Sequence, residues 1–220
     1  MEPVEQVLIF LPVLLISVVL HEVAHGWVAL TQGDDTAQRA GRLTLNPVPH
    51  IDVMGSIVVP MLLVLMPGGV LFGWARPVPV DPRNFRDYRR GDILVSLAGV
   101  AVNLVLVVGF TLLMAGAVWL GRAGAAEPVA GALFRAGSLG VLLNLILAFF
   151  NLIPIPPLDG SHVVAHLLPR SLRGHYRRFG RYGLVVLLVL VFAVPEALGT
   201  LLWPAWALAD VAFGVVEWLV

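Results

Sequence analysis

Residues 7–30 read VLIFLPVLLISVVLHEVAHGWVAL. Apolar side chains fill the stretch, and three ionisable ones, His21, Glu22 and His25, interrupt it near its end. A helix crossing a hydrocarbon core of roughly 30 Å needs about 20 residues, so the stretch predicts a membrane span. A charged group inside such a span costs roughly 2.5 kcal/mol or more, and groups kept there mark function. The i, i+4 spacing of His21 and His25 sets both imidazoles on one helix face. This is the HExxH arrangement, in which two neutral imidazoles bind Zn²⁺ and the glutamate serves as general base. Counting about 1.5 Å per residue from Val7 puts His21 about 21 Å along the helix, in the last third of the membrane.

The rest of the chain has the same character. Of 220 residues, 59% are hydrophobic and only 13% charged, against roughly 25% charged in ordinary soluble chains; mean hydropathy is +0.90. Formal net charge is zero, which points away from nucleic acid as a partner. All 14 basic residues are arginine, and most fall in 76–90 and 170–181. Cysteine is absent, leaving histidine and carboxylate for any metal chemistry. The N-terminal MEPVEQ has no basic residue, unlike a secretory signal, so the first apolar segment is expected to be retained.

Further apolar segments run over 53–72, 93–120, 137–155, 182–194 and 198–219. The second is interrupted by Pro60, Pro67, Gly68 and Gly69, which favours bending back over crossing. Residues 36–47 alternate weakly around Leu43 and Leu45 and read as a short strand or hairpin. The prolines of 73–83 (GWARPVPVDPR) read as an edge strand. The expected fold is an all-α membrane bundle of about five transmembrane helices, with a re-entrant segment at 53–72 and a small cytoplasmic-side β element. One domain is expected over 1–220, with a catalytic core at about 7–165 and C-terminal helices at about 180–219.

Catalytic zinc usually takes three protein ligands and keeps one position open. The acid best situated to be the third is Asp159, in NLIPIPPLDG (151–160), although by itself that stretch reads first as a proline–glycine turn. Together the two motifs resemble the signatures of the site-2 protease family of intramembrane zinc metalloproteases, HExxH and NxxPxPxLDG. GRLTLNPVPHIDVMGS (41–56), GWARPVPVDPRNF (73–85) and SLAGVAVN (96–103) add to the likeness and suggest the compact bacterial subgroup without PDZ or CBS domains. Val100 stands where the family usually has proline. The resemblance covers 15–165 well. It implies one Zn²⁺ per chain held by His21, His25 and Asp159, with Glu22 activating water, and Asn151 holding the substrate carbonyl. It further implies that the chain hydrolyses peptide bonds within or near transmembrane segments of membrane protein substrates, as in regulated intramembrane proteolysis.

If Asp159 joins His21 and His25, their helices must run in one direction, which requires 53–72 to re-enter. Arg39, Arg42, Arg76, Arg83, Arg86, Arg89, Arg90, Arg170, Arg173, Arg177, Arg178 and Arg181 then share one face and only Arg122 and Arg135 the other. Basic residues favour the cytoplasm, so the N-terminus is expected outside and the site near the cytoplasmic side of a bacterial cell membrane. His162 and His166 form a second i, i+4 pair. It makes a membrane di-iron oxidase or hydroxylase one alternative, and a non-enzymatic metal carrier is another. His50 and Asp52 are expected on a water path or behind a ligand, or simply at a boundary, with His162 behind a ligand. Asn103 and Asn144 are read as ties between helices, and Trp203, Trp206 and Trp218 as interfacial anchors. The sequence carries no signal of oligomeric state.

Overall fold

The computed structural model describes residues 3–59, 61–62 and 74–220, with the side chains of Pro3 and Val4 left out. The apolar run around HExxH forms one long helix, α1 (Pro3–Gln32), which continues through Pro12. Gly33 ends it in the left-handed region, at φ 110°, where glycine carries no Cβ penalty. A single turn, α2 (Thr36–Arg39), follows. The longest helix, α3 (Tyr88–Arg122), starts on an Asp87 side chain that accepts from the Arg90 N–H, and α4 (Glu127–Asn151) follows a tight connection.

Among the described residues these three are the helices long and apolar enough to cross a membrane: Glu5–Gln32, Tyr88–Arg122 and Glu127–Asn151. Their polar contacts give their directions. Arg135 pairs with Glu5 at 2.8 Å and Asn144 donates to Ser17 Oγ at 2.8 Å, so α4 runs parallel to α1. Asn103 meets His21, Val95 meets His25, and the Arg86 N–H donates to the Gln32 carbonyl at 2.8 Å. Helix α3 is therefore antiparallel to α1, and the connection between them begins and finishes at the same end of the bundle.

The C-terminal third is broken up. It comprises α5 (Asp159–Leu167), α6 (Arg170–Phe179), α7 (Gly183–Phe192), α8 (Pro195–Leu201) and α9 (Trp203–Leu219). The expectation of about five transmembrane helices is corrected: among the described residues there are three candidates, or up to four if the bent pair Arg170–Phe192 and Pro195–Leu201, turned by 99°, is one span. The reason is length. Helix α7 has 10 residues before the chain turns into Pro195, about 15 Å at 1.5 Å per residue, and α9 has 17.

Among the described residues there is no strand, which corrects the expected β element. Residues 36–39 are helical, and 74–81 form neither helix nor ladder. Pro77 and Pro79 have no N–H to give. Four other donors go elsewhere: Trp74 N–H to the Gly55 carbonyl and Arg76 N–H to the His50 carbonyl, Val78 N–H to Glu22 and Asp81 N–H to Asp34. Of the segment 53–72 expected to re-enter, 53–59 and 61–62 are described, beginning as a π-helical turn at Val53–Val58. The rest of that expectation lies outside the described residues.

Lipid offers little hydrophobic drive between helices, so close packing of small residues holds them together. Ala205, Ala209 and Ala212 of α9 form such a stripe in a buried cluster with Met114 of α3 and Val141 and Leu145 of α4. A second cluster, Ala29, Phe85 and Val95, fastens the connection to α1 and α3 beside the histidines. A third, Ile153, Leu158 and Leu187, seats the proline-rich loop before α5.

Candidate metal centre

His21 and His25 project from the face of α1 that packs on α3, and both are buried. Asp159 is the first residue of α5, where a helix N-terminus favours a carboxylate. The loop 152–158 folds back tightly enough that a Cβ on Gly160 would lie 2.2 Å from the Leu152 carbonyl oxygen. That turn delivers Asp159 to the histidines. His25 Nε2 lies 3.0 Å from His21 Nε2, and Asp159 Oδ2 lies 3.5 Å from His21 Nε2 and 3.4 Å from His25 Nε2.

The three ligand atoms all lie within 4.8 Å of one another, the one such His, Cys, Asp or Glu group among the described residues. Zinc bonds of about 2.0–2.2 Å in a tetrahedron give ligand-to-ligand edges of about 3.3–3.6 Å, close to the observed spacing. Asp159 Oδ2 is buried with no hydrogen-bond partner, and a buried polar atom without a partner is costly. A shared cation would satisfy it. The donor set of two imidazoles and one carboxylate suits zinc.

Glu22, about 100° round the helix from His21, lies on a different face. Its Oε2 accepts from the Val78 N–H at 2.7 Å. Gly26, one turn further on, makes room for this approach, since a Cβ there would meet Leu43 at 2.6 Å and Val78 at 2.9 Å. The extended segment thus lies along the Glu22 side of α1. Asn151 does not join the group: its Nδ2 donates to the Leu147 carbonyl at 2.9 Å in its own helix.

Other polar residues sort themselves by partner. His162 Nδ1 and His166 Nε2 both meet Asp92 of α3, at 3.2 and 2.7 Å, and so hold α5 against α3. His50 donates to the Thr44 carbonyl, and burial lowers its pKa. Asp52 caps the turn at Gly55. Both organise the 44–58 connection. Asn144 is a tie between helices, donating to Ser17 Oγ and to the Gly140 carbonyl.

Sequence reasoning missed two further partners of α1. The Val95 carbonyl accepts from His25 Nδ1 at 2.7 Å, a backbone contact that leaves no residue-type signal. The buried Asp34 carboxylate accepts from the Asp81 N–H and Asn84 Nδ2, tying the end of the extended segment to the end of α1. The spacing of Asp34 and Thr36 does carry the mark of an Asx turn, and the Thr36 N–H donates to Asp34.

Comparison with known proteins adds an independent line. Residues 123–194, which contain the NLIPIPPLDG motif, match the model of peptidase family M50. "Putative zinc metalloprotease YwhC" of Bacillus subtilis (strain 168) is 43% identical over 198 residues, covering 87% of this chain and 82% of that protein. The chain belongs to peptidase family M50. "Putative zinc metalloprotease Rip2" of Mycobacterium tuberculosis (strain ATCC 25618 / H37Rv) is 35% identical over 206 residues, 93% of this chain and 70% of its own length. An alignment that long leaves too few residues outside to miss either motif. No solved structure matches the chain. M50 membership makes the protein a zinc metalloprotease of the membrane, as the paired motifs implied. Nothing favours the oxidase or the metal carrier.

Proposed function

We propose that His21, His25 and Asp159 are the zinc ligands of this M50 protein and that Glu22 is its general base. The reading includes a single catalytic domain over 1–220 acting on transmembrane segments of other membrane proteins. The observation that carries it is the meeting of two Nε2 atoms and one buried, unpartnered carboxylate oxygen at zinc-like spacing.

Zinc bound there supplies a lowered pKa for the attacking water and polarisation of the scissile carbonyl. The protein's own groups do the rest. Glu22, oriented through Oε2 by the Val78 N–H, accepts the water proton on its other oxygen and passes it to the departing amine. Asn151 leaves the Leu147 carbonyl and donates Nδ2 to the oxyanion developing on the substrate. An apolar cleft of about 350 Å³, lined in part by Leu15, Val19, Leu20, Leu45 and Pro47, opens beside α1 just before His21. That lining suits a substrate arriving from lipid. A larger cleft, of about 450 Å³, lies at the far end of α3 and α4 around Ala117 and Arg135, away from the histidines.

The orientation proposed puts the N-terminus outside and the zinc site towards the cytoplasm. The shared end of α1 and α3 supports it, because Arg39, Arg42, Arg76, Arg83 and Arg86 lie in the connection there. Arg177 of α6 also reaches Tyr88 Oη at the start of α3, while Arg122 lies at the opposite end of α3.

The decisive test is Glu22→Gln in the purified full-length protein with a transmembrane peptide substrate. Zinc content should stay at wild type while cleavage falls by about 10²–10⁴-fold, the usual weight of a general base. Asn151→Ala should likewise keep zinc and lose turnover. Undiminished cleavage by Glu22→Gln would refute the mechanism, and retention of zinc by Asp159→Ala would refute the ligand set.

A further inference from the structure

We infer that Asn103 is a positioning residue for the metal site: its side-chain oxygen accepts the Nδ1 proton of His21 and so fixes that imidazole with Nε2 towards zinc. The inference rests on the zinc-ligand reading above.

His25 shows the arrangement first. Its Nδ1 lies 2.7 Å from the Val95 carbonyl, and a carbonyl only accepts, so Nδ1 carries the proton and Nε2 the lone pair. His25 Nε2 is the atom that faces His21 Nε2 and Asp159. For His21 Nε2 to act as a second ligand at the same point, His21 too must carry its proton on Nδ1, and that proton needs an acceptor. Histidines that bind metals are held by such partners, which set both tautomer and ring orientation.

The group at His21 Nδ1 is the Asn103 amide, 3.2 Å away from α3. Asn103 is fully buried. With Nδ2 turned to His21, Oδ1 is left buried without a hydrogen-bond partner. Oxygen and nitrogen of an amide exchange places by a half-turn with no change of shape. The half-turn brings Oδ1 to His21 Nδ1 and completes the pair that Val95 began. Both acceptors come from one face of α3, at 95 and 103, eight residues or just over two turns apart. Between them stands Gly99, where a Cβ would fall 2.4 Å from His21 Cε1 and 2.6 Å from His25 Nε2. Helix α3 is thus shaped to receive both rings and to orient them from behind.

A tie between helices would also put a buried asparagine here, so the test must separate the two roles. Zinc affinity of the purified full-length protein is measured by chelator competition for Asn103→Ala, Asn103→Leu and Asn103→Asp, alongside thermal unfolding of the zinc-free forms. Loss of the acceptor should weaken zinc binding by about 10–100-fold in the Ala and Leu variants. The Asp variant, which keeps an acceptor, should stay within a few-fold of wild type. Wild-type affinity in Asn103→Ala overturns the inference, and so does an equal loss in Asn103→Asp. A fall in zinc-free melting temperature with affinity intact overturns it too, because it marks a tie and nothing more. His21→Ala serves as the control for the parent reading. If it keeps zinc, the ligand assignment itself fails, a result distinct from failure of Asn103 alone.

Discussion

At Gly99 the protein tolerates no side chain, and the reason is the two imidazoles packed against it. Substituting Gly99→Ala places a methyl group well inside contact distance of both rings. Overpacking of this kind costs roughly 1–3 kcal/mol. Here the histidines are what must move, so the expected result is at least a tenfold loss of zinc affinity by chelator competition, with helical circular dichroism retained. Unchanged zinc affinity would show that the rings relax freely. The proximity of His21 and His25 was legible in the sequence because a helix converts spacing into direction. Asp159 was legible only through its motif. Gly99 and Asn103 lay in a stretch whose likeness to a family was visible, but their work depends on a neighbouring helix that sequence spacing does not reveal.

The extended connection is the element the sequence misrepresented. Alternating apolar residues and prolines at 73–83 resembled an edge strand, but 74–81 pair into no ladder and Pro82–Asn84 turn as a 3-10 helix. What decides strand from strap is where the N–H groups go, and two of them go to the carboxylates of Glu22 and Asp34, 56 and 47 positions away. No local pattern encodes such partners. Asp34 anchors this element. Burial alone would raise its pKa, but hydrogen bonds from Thr36, Asn84 and the Asp81 N–H prevail and hold it below the ordinary carboxylate range. The folded form therefore binds that proton less readily than the unfolded form. The resulting stability is complete above about pH 4 and is lost as pH falls through the lower folded-state value. Asp34→Asn should cost about 1–3 kcal/mol at neutral pH. Limited proteolysis of the 74–87 connection should show faster cutting in the variant, and the wild type should approach it only in acid. Equal cutting rates at neutral pH would remove Asp34 from this role.

For the whole molecule, the three long helices and the placement of charge predict a sidedness that can be measured. The chain has no cysteine, so single cysteines report without background. In intact cells a membrane-impermeant maleimide should label Arg122→Cys and leave Arg83→Cys unlabelled until the membrane is permeabilised. The reverse pattern would invert the proposed orientation. The bundle class was readable from hydropathy, whereas the number of spans was not. The sequence marked the break at Pro195 between 182–194 and 198–219 but not the one at Trp203, and together they leave pieces of 10, 7 and 17 residues.

Asp159 follows His25 by 134 positions, and α3 and α4 lie between them along the chain. A ribosome making this chain therefore completes its HExxH helix long before the proposed third ligand has been synthesised. During that interval the growing chain holds two of the three proposed ligands. On that ligand set, distance along the chain postpones completion of the metal site until most of the protein has been made.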